Sequence, residues 1–480
     1  MASYLSFSFA APALLLAIFA YFTYKALYRL YFHPLAKFPG PRLAALTYKY
    51  EFYYDGILGG QYTNRIWELH RQLGPVVRIN PDELHINDPD YIDEVFAGGN
   101  KKRDRFQFYL NQFGHPDSVA SSLKHERHRQ LRRPLDRCFS KAAVTKLEPM
   151  ISGYVGKLCS NIEAHAGSQK PIDITNAFSC MTTDVVAQYS FAHSPGFTEN
   201  IDFEPNLRPA ILGVGNSGPA IKQWPILFHI MEKLPAWLAD AALPGIRTWL
   251  DFQKDMLTQI ETLVASKSTD DMSKDQEGYS TIFHSILDSD LPASDLTPFR
   301  ISQDAQGIVG AGTETTAWTL AALTFYLLDN PSVLEKVKIE LKQINSDPNN
   351  LPPWSTLEQL PYLNATITEG LRLTYGIATR TQRIAREPLV YHGKSLDGSG
   401  VEWTIPPNTP VGMTSVLIHQ NTDIFPDPLR FWPERWLDEN GKRVNHLDKY
   451  LFSFTRGSRQ CLGKKCISLL LPVVGIGVWC

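Results

Sequence analysis

An uncharged apolar run opens the chain. Phe7 to Tyr24 contains 18 residues without a charged side chain, mostly Ala, Leu, Phe and Tyr. An α-helix of that length extends about 27 Å, and continuing it to Leu30 gives about 36 Å, enough to span a bilayer core of roughly 30 Å. A cleaved signal peptide is the alternative. No basic residue precedes the run, whereas Lys25 and Arg29 follow it, so we expect a retained anchor with the following chain on the cytoplasmic side.

The rest of the pattern predicts a mainly α-helical body with a smaller β region. Residues 33–41 contain three prolines and a glycine, which cannot continue a helix and predict a stiff hinge. Apolar positions recur at helical or strand-like spacing in several later stretches. The helical ones are Tyr62–Leu73, Pro89–Phe96, residues 141–265, Pro298–Leu328 and Leu360–Leu373; the strand-like ones are Val76–Ile79, Glu83–Ile86 and parts of 375–405; and Ser266–Gly278 is a polar run typical of an exposed loop.

Composition narrows the class of protein. The 480 residues are 44% hydrophobic and 20% charged, which is ordinary for a globular protein with a sizeable core. A net charge of −2 argues against a nucleic-acid binder, which would carry a strong basic excess. Six cysteines in a chain this long do not make a disulfide framework, and no Cys-x-x-Cys pair suggests a structural zinc site. We therefore expect reduced thiols.

One of those cysteines, Cys461, lies in a stretch rich in glycine and arginine. Residues 454–463 read Phe-Thr-Arg-Gly-Ser-Arg-Gln-Cys-Leu-Gly. Gly457 permits a backbone conformation closed to other residues and a close approach by a flat ligand. Arg459 adds positive charge, which lowers a thiol pKa and can bind a carboxylate. The stretch suits a Cys461 thiolate held against a planar, acid-bearing cofactor such as haem. An ordinary buried cysteine near a surface turn is the alternative.

A glycine-rich helix is the second unusual stretch. Gly307, Gly310 and Gly312 fall within six residues of the predicted helix 298–328, although each costs about 1 kcal/mol against alanine there. Close passage over a flat ligand would explain them, and tight helix–helix packing is the alternative. Glu314 and Thr315 follow at once, and an acid beside a hydroxyl can relay protons to bound dioxygen. The sequence therefore predicts catalytic roles for this pair.

Together these motifs resemble the cytochrome P450 superfamily. The pattern Phe-x-x-Gly-x-Arg-x-Cys-x-Gly is similar to its haem-ligand loop, and Ala-Gly-Thr-Glu-Thr-Thr at 311–316 to its oxygen-activation motif. The resemblance covers the chain to Gly463 and implies the P450 fold over 42–463, behind a membrane anchor at 1–32 and a hinge at 33–41. It makes Cys461 the thiolate ligand of the haem iron and Thr315 the catalytic alcohol beside Glu314.

The resemblance also implies supporting residues. His128 stands where the family has a tryptophan, with Arg132 one helical turn later, and both would reach the haem propionates together with Arg459 and Arg383. The full implied set of haem-binding residues is His128, Arg132, Ala311, Arg383, Phe454, Gly457, Arg459 and Gly463. Glu369, Arg372 and Arg435 would form a buried carboxylate–guanidinium cluster beneath the haem, with a structural role.

The implied activity is oxidation of a lipophilic small molecule with O2 and electrons from NADPH through a membrane reductase, at the endoplasmic reticulum membrane. Two stretches, Tyr31–Pro41 and Met413–His419, are similar to those of fungal enzymes of secondary metabolism of the trichodiene-oxygenase type, which implies terpenoid or polyketide substrates. Residues 464–480 depart from the pattern: Pro472 predicts a broken helix and an atypical, truncated end. Two alternatives stay open, a haem-binding but inactive protein and a non-oxygenating isomerase or dehydratase of the same fold.

Overall fold

The computed structural model describes residues 2–168, 170–204, 206–267, 280–344 and 352–479. Most of the predicted loop Ser266–Gly278 lies outside the described residues. The chain divides into two compact units. The sheet unit comprises residues 1–95, 102–104 and 380–414, and the helical unit comprises residues 96–101, 105–379 and 415–480.

The sheet unit begins with the predicted apolar helix. Helix α1 runs from Ala2 to Leu27 and continues as a π-helical turn over Tyr28–Phe32. Its segment Pro12–Phe32 has a mean hydropathy of 1.3, and none of it is buried within the protein. By length and composition it is a candidate membrane span, and it is the one such helix in the described part of the chain.

The strands of this unit do not pair in the order in which they occur along the chain. Its short helices are α2 Arg42–Leu46, α3 Lys49–Phe52, α4 Tyr62–Leu73 and α5 Ile92–Val95. Its strands are β1 Val76–Asn80, β2 Glu83–Ile86, β3 Arg103–Asp104, β4 Thr381–Ala385, β5 Leu389–Lys394, β6 Gly400–Ile405 and β7 Pro410–Met413. Five form a sheet in the order β1-β2-β7-β4-β3, in which only the β2–β7 pair is parallel, while β5 and β6 pair as an antiparallel ribbon. The predicted helix 62–73 and the two predicted strands around the Asn80-Pro81-Asp82 turn are confirmed.

The helical unit holds the remaining helices. They are α6 Gln107–Leu110, α7 His125–Cys138, α8 Lys141–Thr145, α9 Glu148–Ala164, α10 Ile174–Phe191, α11 Arg208–Gln223, α12 Ile226–Lys233, α13 Ala236–Ala242, α14 Ile246–Lys267, α15 Ile282–Leu287, α16 Pro298–Asp329, α17 Pro331–Lys342, α18 Trp354–Leu357, α19 Pro361–Thr374, α20 Ser415–His419 and α21 Lys464–Trp479. The 32-residue α16 is the central element, packed against α10 and α14 within the main hydrophobic core. Thr297 caps it by accepting from the Arg300 N–H, and Asn330 ends it as predicted.

The prediction that Pro472 breaks a helix is wrong. Helix α21 passes straight through Pro472 instead of breaking, and its residues 469–476 are buried. Proline has no N–H to donate to the carbonyl four residues earlier, Ser468 O. The indole N–H of Trp354 donates to that carbonyl instead, at 3.1 Å. A tertiary hydrogen bond therefore replaces the helical one, and the nearly uncharged run packs into the core.

Candidate active site

The Cys461 loop is a rigid turn built on one glycine. The Cys461 N–H donates to Phe454 O at 3.0 Å, which closes the loop. Gly457 has a φ of +74°, and a Cβ there would collide with the carbonyl oxygens of Phe96 and Ala97. Both constraints exclude any other residue, so the predicted special backbone at Gly457 is confirmed.

Two of the predicted arginines hold this loop in place. The Arg459 guanidinium donates to Ser122 O at 2.7 Å and to Leu123 O at 3.0 Å. Arg132 Nη1 donates to Gln460 O at 2.7 Å, next to the cysteine. The predicted partner His128 is buried one turn before Arg132 on α7. The structure therefore brings α7, the thiol loop and the segment 120–123 together.

The predicted effect on the thiol is wrong in sign. Burial raises the pKa of Cys461, and the positive charges of Arg132 and Lys464 oppose that rise without reversing it. Desolvation dominates because the sulfur is surrounded by protein. Yet the residue keeps accessible surface. A metal cation that bound this accessible sulfur would displace the thiol proton.

Helix α16 presents an accessible stripe in the middle of its buried length. Ala311 and Thr315 are exposed, four residues apart, although the intervening Thr313 and the following Thr316 are buried. Thr315 Oγ1 donates to Ala311 O at 2.7 Å. One turn of spacing places the two on one helix face. The predicted alcohol thus lies on the face of α16 that remains open.

Two of the three glycines of α16, Gly310 and Gly312, have different surroundings. A Cβ on Gly312 would lie 3.0 Å from Val186 Cγ2 on α10, so this glycine serves tight helix packing, the alternative reading. A Cβ on Gly310 would meet no atom within 4 Å, and the same holds for the loop residue Gly463. Neither of these two is required by neighbouring protein. Both leave open space of the kind that a flat ligand would fill.

The predicted acid has one partner that the sequence did not indicate. Glu314 Oε1 accepts from Arg208 Nε of α11 at 3.3 Å, and Arg208 Nη1 also donates to Asn176 at 3.3 Å. The other oxygen, Oε2, is buried and has no hydrogen-bond partner among the described residues. Burial raises the pKa of Glu314, and Arg208 lowers it by a smaller amount. This carboxyl group is therefore poised to hold a proton.

The predicted structural ion cluster is present. Arg372 donates to both oxygens of Glu369, at 2.8 and 2.9 Å, and Arg435 Nε donates to the same carboxylate at 3.0 Å. The Glu369 and Arg372 side chains are fully buried. Sequence analysis missed Trp436, whose indole N–H donates to Glu369 Oε2 at 2.9 Å. A Pro-Glu-Arg-Trp segment is the signal that could have suggested it.

His419 is a second residue that sequence analysis missed. Its Nδ1 lies 2.8 Å from Arg372 O, and its Nε2 accepts from the Phe452 N–H at 2.9 Å. A carbonyl only accepts and an amide only donates, so the neutral Nδ1–H tautomer is fixed. Burial lowers the pKa of His419 to about 3. This imidazole links the ion cluster to the residues that lead into the thiol loop.

The three arginines of segment 380–386 belong to the sheet unit, where two of them are structural. Arg380 bonds two buried carboxylates, Glu83 at 2.7 Å and Glu51 at 2.6 Å. Arg386 pairs with Asp104 at 2.8 Å. Arg383, buried on β4, donates to Gln382 O at 2.8 Å. Its assignment to a haem propionate stays a prediction.

The residues around Cys461 fit a planar cofactor whose metal ion needs only one ligand from the protein. Among the described residues no group of three or more His, Cys, Asp or Glu could hold a bare metal ion. One thiol on a stiff loop, an accessible face of α16 and open space beside Gly310 and Gly463 are what a haem needs. The fold and this site define the class of haem-thiolate proteins.

Comparison with known proteins places the chain within that class. A family profile described as cytochrome P450 matches residues 41–466. Cytochrome P450 monooxygenase tpcC of Cochliobolus heterostrophus is 39% identical over 452 residues, which cover 94% of this chain and 84% of the relative. Tryptophan 6-hydroxylase fscE of Fusarium equiseti is 40% identical over 438 residues, covering 91% and 83%. N-acetyltryptophan 6-hydroxylase ivoC of Emericella nidulans is 36% identical over 462 residues, covering 96% and 88%.

The chain belongs to the cytochrome P450 family. The predicted family, fold class and enzyme class are thereby confirmed: this is a mainly helical oxidoreductase of the monooxygenase type, related to enzymes of fungal secondary metabolism. Membership implies a haem-thiolate cofactor.

Proposed function

We propose that this chain oxidises a lipophilic small molecule of fungal secondary metabolism, using O2 and electrons from NADPH delivered by a cytochrome P450 reductase. The observation that carries the proposal is the Cys461 loop, a single accessible thiol on a turn that admits no residue but glycine at 457. Terpenoid and polyketide intermediates are the substrate class implied by the motifs. The names of two relatives add indole amino acids as a second candidate class.

Each residue of the candidate active site has its own role in this proposal. Cys461 would hold the haem iron through its thiolate, and bound haem would supply the binding and reduction of dioxygen. Arg132 and Arg459 hold the loop backbone and are close enough to the thiol loop to meet the cofactor's carboxylates. Glu314 Oε2 holds a proton, and Thr315 Oγ1 passes it toward the reacting oxygen. The alternative without oxygen activation does not require this acid–alcohol pair.

We further propose that α1 anchors the enzyme in the endoplasmic reticulum membrane. Lys25 and Arg29 lie at the C-terminal end of the apolar helix, and positive charge there retains the following chain on the cytoplasmic side. Residues 33–41 then act as the hinge to a catalytic body that begins at residue 42. A reductase on the same membrane would reach that body from the cytoplasm.

The test is the carbon monoxide difference spectrum of the reduced full-length chain in membranes, beside Cys461→Ala. We expect a red-shifted Soret band in the wild type and none in the variant, because only a thiolate ligand produces that shift. A band that survives in Cys461→Ala would contradict the ligand assignment. A wild type that incorporates no haem would contradict the proposed function, whereas a wild type that shows the band but oxidises no substrate would favour the haem-binding but inactive alternative.

A further inference from the structure

The segment 114–121 is attached to the N-terminal half of α16. The Asp117 N–H donates to Gln303 Oε1 at 2.7 Å. The Val119 N–H donates to Asp304 Oδ1 at the same distance. Both acceptors are buried side chains of the helix. Because two short hydrogen bonds join the backbone of this segment to one helix, the side chains of the segment have fixed positions relative to α16.

His115 is the side chain of this segment that faces the glycine-rich part of α16. Its Cε1 atom, which lies between the two ring nitrogens, is 4.0 Å from the position that a Cβ of Gly307 would occupy. Apart from α16 itself, no other atom of the described chain lies within 4 Å of that position. The edge of the imidazole therefore borders the place where any residue but glycine would carry its side chain.

Gly307 extends the accessible stripe of α16 by one turn. Gly307, Ala311 and Thr315 follow one another at four-residue spacing, which places them on one side of the helix. Gly307 is partly exposed, and the other two residues are exposed. The helix rises about 12 Å from Gly307 to Thr315. His115 thus lies at one end of the stripe, and the predicted catalytic alcohol lies at the other.

Ser118 determines which ring nitrogen of His115 carries the hydrogen. His115 Nδ1 lies 2.9 Å from Ser118 Oγ. Ser118 is fully buried, and its oxygen already accepts from the Ser121 N–H at 3.1 Å. Among the described residues, Nδ1 is the acceptor left for the hydroxyl hydrogen of Ser118, and a buried hydroxyl without an acceptor is costly. A neutral imidazole whose Nδ1 accepts carries its hydrogen on Nε2.

The Nε2–H of His115 is a donor that the protein does not use. Burial lowers the pKa of His115 to about 4, so the ring is neutral near pH 7. The Phe113 ring stacks on the imidazole, with 5.8 Å between the ring centroids. No residue that the structure describes accepts a hydrogen bond from Nε2. A side chain that is 7% exposed therefore keeps one donor for a molecule other than the protein.

We propose that His115 selects substrates with a hydrogen-bond acceptor oxygen, which receives the Nε2–H while the carbon to be oxidised lies beside Thr315. The acceptor and the reacting carbon would be separated by about 12 Å, the length of the stripe. A carbonyl, carboxylate or ether oxygen meets this requirement, whereas a hydrocarbon does not. The inference rests on the proposed function and narrows its substrate class. His115 determines specificity and takes no part in the oxygen chemistry.

The experiment titrates the Soret shift of the full-length haem-loaded enzyme with pairs of compounds, one member with an acceptor oxygen and one without. The pairs are indole-3-butyrate with 3-butylindole, farnesal with farnesene, and 6-pentyl-2-pyrone with pentylbenzene. They represent the indole, terpenoid and polyketide classes. The proteins are wild type, His115→Phe, His115→Gln and the control His229→Phe, which changes an exposed histidine on α12. The carbon monoxide spectrum checks that each variant folds around its haem.

For at least one pair, wild type and His229→Phe should prefer the oxygen-bearing member. His115→Phe should lose about tenfold of that preference, as expected for one hydrogen bond, and His115→Gln should regain part of it because its amide still donates. Where product forms, KM should rise in His115→Phe while kcat changes little. The inference is overturned if wild type prefers the oxygen-bearing member of no pair. It is also overturned if folded His115→Phe keeps every wild-type preference, which would mean that water alone accepts from Nε2.

Gly307→Ala keeps the test decisive if His115→Phe does not fold. Alanine is favoured over glycine within a helix, and its Cβ would meet His115 Cε1 at an ordinary contact distance of 4.0 Å. This variant should fold at least as well as wild type, but its methyl group occupies the space beside the imidazole and should reduce the same preference. An unchanged preference in Gly307→Ala contradicts the inference. Failure of the proposed function looks different, because wild type itself would lack the thiolate spectrum.

Discussion

Two glutamates of the helical unit show how different the surroundings of the same type of side chain can be. Glu369 accepts five hydrogen bonds, from Arg372 twice, from Arg435, from the Trp436 indole and from the Trp432 N–H. Glu314 has one contact of 3.3 Å, and its second oxygen is buried without a partner among the described residues. Full satisfaction fixes geometry, whereas partial satisfaction leaves a group that can bind and release a proton.

The same comparison explains where each glutamate lies. Glu369 is enclosed on α19 by side chains and carbonyls, and the Arg372 guanidinium also donates to His419 O and Pro428 O. Glu314 lies beside the accessible stripe of α16, and its partner Arg208 comes from another helix and is about a quarter exposed. Glu369 is therefore surrounded by protein on all sides, whereas Glu314 borders an accessible surface.

The largest expected effect is on Glu369. Glu369→Gln leaves two buried guanidinium groups without their negative partner, which should cost roughly 3 to 5 kcal/mol of the free energy of unfolding. Urea denaturation followed by circular dichroism measures this. Glu199→Gln, which removes only a surface pair with Lys157, is the control and should change the free energy of unfolding far less. Equal losses in the two variants would refute the structural role of the cluster.

The second-largest effect is expected for Glu314, on the rate of turnover and not on the free energy of unfolding. Glu314→Gln should lower the rate of product formation by about 100-fold, because an amide cannot deliver a proton, while unfolding changes by less than about 1 kcal/mol. Turnover is measured with reductase and NADPH at saturating substrate. A stability loss as large as that of Glu369→Gln would show that the two carboxylates are alike.

Arg208→Gln sharpens this test. Removing the opposing positive charge should raise the pKa of Glu314 further, so the limb of the pH–rate profile that depends on this acid should move to higher pH. An unmoved limb would exclude Glu314 as the group that titrates there.

A smaller effect is expected at His419, which connects the cluster to Phe452. His419→Phe removes two buried hydrogen bonds and should cost roughly 2 kcal/mol of unfolding free energy near neutral pH. The folded chain lowers the pKa of His419 from 6.5 to about 3, so the unfolded state binds the proton first. The stability that His419 contributes is therefore present above pH 6.5 and falls as the pH drops toward 3.

Unfolding in urea at pH 7.5 and pH 5.5 checks this sign. The difference between wild type and His419→Phe should shrink at the lower pH by up to about 1.4 kcal/mol per pH unit. A difference that grows with acidity would mean that His419 is charged in the folded chain.

The sequence determined whatever depends on local spacing. The turn conformation at Gly457 follows from its neighbours, the pairing of Glu369 with Arg372 follows from three-residue spacing on a helix, and β1 and β2 follow from alternation around Asn80-Pro81-Asp82. Such features reach only a few residues along the chain, so a pattern can encode them.

The tertiary structure decided everything that depends on distant partners. Pro472 does not break α21 because Trp354 satisfies the orphaned carbonyl, and the Cys461 pKa rises because burial outweighs nearby positive charge. The pairing of Glu314 with Arg208, 106 residues away, likewise follows from which helices meet. Desolvation and long-range contacts depend on how distant segments pack together. The local spacing of residues along the chain does not specify that packing.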